Sequence, residues 1–371
     1  MQPMPQANAM NLKHSKSVLL GTSALVCFAL SAPVMARDIV ITSGTTTNNS
    51  GGSLNGYDTA NVTGTLDTGT TDSEHGILAS GDNNKITVSK EGHIITGGDD
   101  ASGIYHTGDT NTNTVSGSIT TTGENSYGIH NKGDTNTTTV SGSIATGNVS
   151  SNSGRNSYGI FNEGNDNTTT LSGDITTINS SGYGIYNKGN KNTTIMSGTF
   201  TASGTWDSAN WGIRNHGNEN ITTMSGIIST VGSSSFGFYN IGNENITTMS
   251  GIITTGGRAA NGIQNIGNTN TTTVSGSITT EGDNAYGIYN LGSNNVTTVS
   301  GSIKTAGNNS HGINIYGDNN TTSISGTVKA TGASSAALYN SAGSGDSFTL
   351  DEGAIIIGDI IAAEYGVFFL L

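Results

Sequence analysis

Side chains able to do chemistry are few in this 371-residue chain, and they are scattered. A β-structured enzyme acting on polysaccharide needs several carboxylates converging on one groove, one to donate a proton and others to activate water. Asp99-Asp100 is an adjacent acidic pair, but the segments about 25 residues to either side carry no similar pair. Gly345-Asp346-Ser347 imitates a serine-protease nucleophile, yet Phe348 stands where a glycine would follow, so a turn is expected. His75, His93, His106, His130, His216 and His311 lack the short paired spacing of metal ligands. Gly81-Asp82-Asn83-Asn84 and Gly317-Asp318-Asn319-Asn320 faintly resemble calcium-binding nonapeptide turns, without the nine-residue period. No catalytic residue, metal or cofactor is expected.

Three other patterns recur along the chain. Eight of ten regularly placed asparagines open an Asn-x-Thr sequon, for example Asn136-Thr137-Thr138, the acceptor pattern for a glycan in a secreted chain. Threonine runs raise the idea of an array that orders water as ice does. Insertions and the variable Lys85, Ile221 and Val296 are expected to spoil its flatness. Aromatic side chains fall into two series, Tyr127, Tyr158, Tyr183, Trp211, Phe236, Tyr286 and Tyr105, Phe161, Tyr186, Tyr239, Tyr289, Tyr339. A stripe of exposed rings can stack on glycans or meet a partner, and a ladder of rings can equally serve only to stabilise the fold.

What positions these residues is a repeat. Glycines 76, 103, 128, 159, 184, 212, 237, 262, 287 and 312 are spaced by 25 residues or slightly more, the mark of stacked units. Five residues after each anchor stands glycine. Eight after it stands asparagine: Asn84, Asn111, Asn136, Asn167, Asn192, Asn220, Asn245, Asn270, Asn295 and Asn320. Insertions such as Asn148 to Arg155 and Thr205 to Ala209 fall in one place, before the next anchor, so one corner accepts loops.

Three apolar positions per unit, typified by Ile129, Val140 and Ile144, cannot make a globular core alone but form three columns when coils stack. Glycine density and β-branched runs exclude helices. The expected fold is all-β, a parallel β-helix of about eleven coils spaced about 4.8 Å apart. Glycine and asparagine at the corners take the left-handed backbone that sharp turns need. The ten asparagines are expected to form an inward or corner ladder, each amide donating to the next, and so is the series Asn131, Asn162, Asn187, Asn215, Asn240, Asn265, Asn290. Because side chains alternate along a strand, the two aromatic series are expected on opposite faces.

Residues 1–36 read as an export signal: Lys13 and Lys16 precede an apolar run from Val18 to Leu30, and Val34-Met35-Ala36 ends it. Cys27 and the three prolines lie within it, so the remainder is held without disulfides. Losing Lys13 and Lys16 leaves 11 basic against 26 acidic residues, a balance of −15 that disfavours nucleic acid and anionic bilayers. No further apolar run is long enough to span a membrane stably. Residues 37–75 read as an N-terminal cap, 76–345 as the repeats and 346–371 as a terminal coil.

The signal, the acidic cysteine-free Gly/Asn/Ser/Thr-rich repeats and the closing Gly353-Ala354-Ile355-Ile356-Ile357-Gly358-Asp359-Ile360 resemble the passenger of a bacterial autotransporter over residues 37 to about 361. That resemblance implies a right-handed parallel β-helix carried to the cell surface, commonly for adhesion to a host glycan or protein, and a C-terminal β-barrel translocator that this sequence does not contain. The expected function is therefore an exported, non-enzymatic, adhesin-like scaffold, at the cell surface, extracellular, or periplasmic if the gene product is cut short. A polysaccharide-acting enzyme and a truncated remnant are the alternatives.

Overall fold

Each unit of about 25 residues makes three short strands, and each strand pairs in parallel with its counterparts one unit before and after. The computed structural model describes residues 17–19, 38–42, 53–147, 156–178, 181–203, 209–362 and 368–370. The expected export signal, apart from Ser17–Leu19, lies outside them, as do the insertion at residues 148–155 and residues 205–208 of the second insertion. Among the described residues there is no helix. Three sheets of 15, 12 and 13 parallel strands form a β-solenoid of about twelve turns, one more than the sequence suggested.

The coil that starts at Gly128 serves as a guide. Strand β1, Ile129–Lys132, belongs to the sheet that follows each anchor glycine; β2, Thr137–Val140, to a threonine-rich sheet; β3, Ser143–Thr146, to a third sheet reached through the two-residue corner Ser141-Gly142. Burial alternates along β2 and β3, as period-two patterning requires. Inside run three columns typified by Ile129, Val140 and Ile144, each no more than about 2% exposed in every coil from Ile77 to Val328, while Ile41, Leu350 and Ile356 in the end coils are only partly buried. At about 1.5–3 kcal/mol per fully buried aliphatic side chain, this burial drives stacking.

Between those columns the interior is polar. Thr146 and its equivalents point inward, as Thr280 does when its Oγ1 donates to the Ala285 carbonyl at 2.8 Å. Corners turn through left-handed residues at two places per coil. One is seven residues after the anchor, where the side chain is often not glycine or asparagine: Thr110, Thr135 and Thr269 have φ of 58°, 56° and 58°. The other is three residues before it, as at Asn125 and Asn309. The sequence pointed instead to the glycine five after the anchor, which also has positive φ in most coils (Gly133, 148°). The anchor glycines are required for closeness: a Cβ on Gly128 would lie 2.3 Å from Ile144 Cγ2.

Candidate interaction surface

The polar repeats resolve into ladders with different chemistry. At the corner, the main-chain N–H of each asparagine donates to the side-chain Oδ1 of the next, from Asn84 to Asn111 at 2.8 Å through Asn295 to Asn320 at 2.9 Å. The links between, through Asn136, Asn167, Asn192, Asn220, Asn245 and Asn270, follow the same pattern. Amide-to-amide donation, expected here, occurs only from Asn220 Nδ2 to Asn245 Oδ1. The reason is geometric: a corner main chain has an N–H with no strand partner, and the nearest acceptor is the side chain one coil on. These ten side chains are at most 1% exposed, so the sequon nitrogens sit where no sugar can be attached.

The second series is the true amide ladder. Asn131 Nδ2 donates to Asn162 Oδ1, and the chain continues through Asn187, Asn215, Asn240 and Asn265 to Asn290, every link 2.8 Å. Each Nδ2 from Asn131 to Asn290 also donates to a threonine hydroxyl within its own coil, as Asn215 does to Thr222 at 3.0 Å. At its start His106 replaces asparagine and its Nε2 lies 2.6 Å from Asn113 Oδ1, while Asn113 Nδ2 reaches Asn131. Burial pushes His106 down to about 4, keeping it neutral. At the other end Ile315 interrupts the series, and buried Asp346 joins both ladders, accepting from the Asn320 main chain at 2.7 Å and from Asn340 Nδ2 at 2.9 Å.

The aromatic series do not leave on opposite faces. Tyr183 meets Tyr186, Tyr158 meets Phe161 and Tyr286 meets Tyr289 edge to face, at 5.7, 5.6 and 5.3 Å between ring centres. Alternation fails because the anchor glycine and the isoleucine after it both turn inward at the corner, returning the next residue to the side of the first. The two columns thus interleave on one outer corner, joined by His75, His130 and His311.

Within a column the rings lie flat on one another, Tyr158 on Tyr183 at 4.4 Å and 7°, Phe161 on Tyr186 at 4.9 Å and 10°. Their faces are therefore taken up by neighbours, and Tyr158, Phe161, Tyr183 and Tyr186 are buried, whereas Tyr105, Tyr239, Tyr289 and Tyr339 are half-buried with edges open to solvent. Arg214 occupies a ring position, its guanidinium 4.6 Å from Tyr186, 4.7 Å from Trp211 and 5.8 Å from Tyr239. Tyr105 lies between His75 and His130, tilted by 39° and 48° to them, and Tyr339 lies 4.1 Å from His311. Asn261 and Gln264, hydrogen-bonded to each other at 2.9 Å, break the columns between Phe236 and Tyr286. Desolvation holds the Tyr127 hydroxyl up to about 12 and Tyr158 higher still, and moves His130 down to about 4.

Carboxylates serve the same structural purpose as the asparagines. Asp82 and Asp109 accept the main-chain N–H groups of Asp109 and Asp134 at 2.8 and 2.7 Å, and Asp72 and Asp99 accept those of Asp99 and Glu124. Among the described residues no group of three or more His, Cys, Asp or Glu is placed to hold a metal ion. Nor is any helix long and apolar enough to cross a membrane, which leaves β-barrels aside. No protein-family model, curated protein or solved structure matches this chain.

Proposed function

We propose that the chain is the passenger of a bacterial autotransporter, an exported, non-enzymatic, adhesin-like rod that presents its outer corners to a glycan or protein on a host or neighbouring cell. The observation that supports this most directly is the allocation of polar groups. Asparagines and corner carboxylates spend hydrogen-bonding capacity on the neighbouring coil and inward threonines on their own, while outward positions and corner insertions carry most of the variation. A scaffold needs that division. A hydrolase needs polar groups aimed at a groove, and stacked carboxylates that each cap a main-chain N–H offer no acid–base pair.

Because ring faces in the aromatic columns are covered, contact with a glycan would run through tyrosine edges and hydroxyls and Arg214. The test is binding of the purified protein to glycan arrays and to cultured cells. Dose-dependent capture lost on cutting back Tyr239, Tyr289 and Tyr339 supports the reading. Release of reducing ends from polysaccharide, or no capture on any surface, refutes it.

A further inference from the structure

The threonine-rich sheet carries no charged residue in ten successive strands from Thr112–Val115 to Ser347–Leu350, in a chain of net charge −13. Its register is unbroken, because the insertions lie at another corner, so this face is regular where the sequence led us to expect disruption. Nearly all outward side chains are β-branched and rotationally stiff. Near the middle of the ten strands Ile195, Ile221 and Ile246 replace threonine, and around the Ser-Gly corner Ile227 and Ile252 continue the patch; each is between 42% and 47% exposed. That third sheet is likewise free of charge in the four strands from Thr199–Ser203 to Ser277–Thr280. Contiguous exposed aliphatics of this kind mark association surfaces.

We propose that this uncharged face binds a second copy of the chain, packed about a two-fold axis passing beside Ile221 and Thr223. Three features select that occupant. Over the face itself two copies of an acidic rod bring no like charges together, the nearest carboxylates, such as Asp109, Asp134, Glu219 and Glu244, standing on the corner that borders it. Both partners carry the same corrugation of about 4.8 Å, so β-branched ridges of one fit the grooves of the other along the whole length, as identical sheets do. The aliphatic cluster sits near the centre of the ten strands, where a two-fold places it on itself and leaves hydroxyls at the rim. Ten strands of four residues present about 600 Å², and the flanking Ile227 and Ile252 bring this near the roughly 800 Å² per partner of stable complexes.

Sedimentation velocity over a concentration series tests the proposal. The full chain is expected to pair reversibly, more tightly as salt rises because the net repulsion is screened. Ile221→Lys with Ile246→Lys is expected to return a single-chain mass with an unchanged β-sheet circular dichroism spectrum, and Tyr316→Lys, on another sheet, to leave pairing intact. If the lysine variants lose the β-sheet spectrum, Thr223→Cys in a Cys27→Ser background decides: disulfide-linked pairs on oxidation support the surface, and monomers alone overturn it. A single-chain mass for the unmodified protein at every concentration overturns it too, as does pairing that survives both lysines. A monomer that inhibits ice recrystallisation would assign the threonine columns to ordered water and also overturn it.

Discussion

Replacing one amide in the middle of the interior ladder should cost more than replacing one at its end, although the two residues are equally buried. Asn215 accepts from Asn187 and donates to Asn240 and Thr222. Asn215→Ile strands a donor on Asn187 and an acceptor on Asn240. Each buried group left unpaired costs about 1–3 kcal/mol, together about 2–6 kcal/mol, against about 1.5–3 kcal/mol returned by burying the aliphatic side chain. The expected net loss is about 2 kcal/mol.

Asn290 accepts from Asn265 and donates to Thr297, but its coil-ward neighbour is Ile315, so within the ladder Asn290→Ile strands only the donor on Asn265; the threonine hydroxyl that loses an amide donor, Thr297 here and Thr222 above, is common to both variants. The two terms then nearly cancel, and the expected cost is about 0–1 kcal/mol. Urea unfolding followed by circular dichroism measures both variants. Amide exchange at Asn187 and Asn240 reports whether damage stays local, which matters because a repeat array need not unfold in one step. Equal costs for the two variants would refute the reasoning, since then the lost contact, not the stranded neighbour, sets the penalty.

Stability should fall with acid. His106 is pushed down to about 4 in the fold from an ordinary 6.5, so the unfolded chain takes up the proton first. Its contribution is complete above pH 6.5 and lost between pH 6.5 and 4, about 3 kcal/mol in all. His106→Asn, which restores the repeat residue, should lessen the fall in melting temperature between pH 7 and pH 4.5 and leave the part due to His130, which is likewise held down to about 4; an unchanged slope assigns the acid sensitivity to other groups. Thr269→Asn should stabilise by about 0.5–1 kcal/mol in urea titration, because a β-branched residue is strained at φ 58° and asparagine is not. Gly128→Ala should destabilise by about 2 kcal/mol or more, its Cβ colliding with Ile144, and a melting temperature equal to wild type would contradict the close approach.

Much of this was legible in the sequence because a solenoid repeats its instructions. Ile129, Val140 and Ile144 recur at fixed offsets, so three columns and their inward direction followed from spacing alone. Asn131 was recognisable as a ladder residue by the same test. What Asn136 does was harder to foresee: both amide and main-chain donors were available, and the orphan N–H at a corner decides between them. The left-handed residues Thr110 and Thr135 carry no mark, since their conformation is imposed by the stack against their own preference. The shared side of Tyr183 and Tyr186 was hidden for a related reason. Alternation fails between them because Gly184 and Ile185 both turn inward, although all four residues lie in one strand.

The fixed offsets of the ladders have one more consequence. Excising residues 237–261 would bring Gly262 to the place of Gly237 and rejoin every track: Asn215 to Asn265, Asn220 to Asn270, Met224 to Val274. Every bond broken has an equivalent ready to replace it. Length in this molecule is thus a quantity that recombination between neighbouring units can adjust in whole steps of about 4.8 Å, lengthening or shortening the reach of whatever the rod carries without asking any remaining residue to learn a new role.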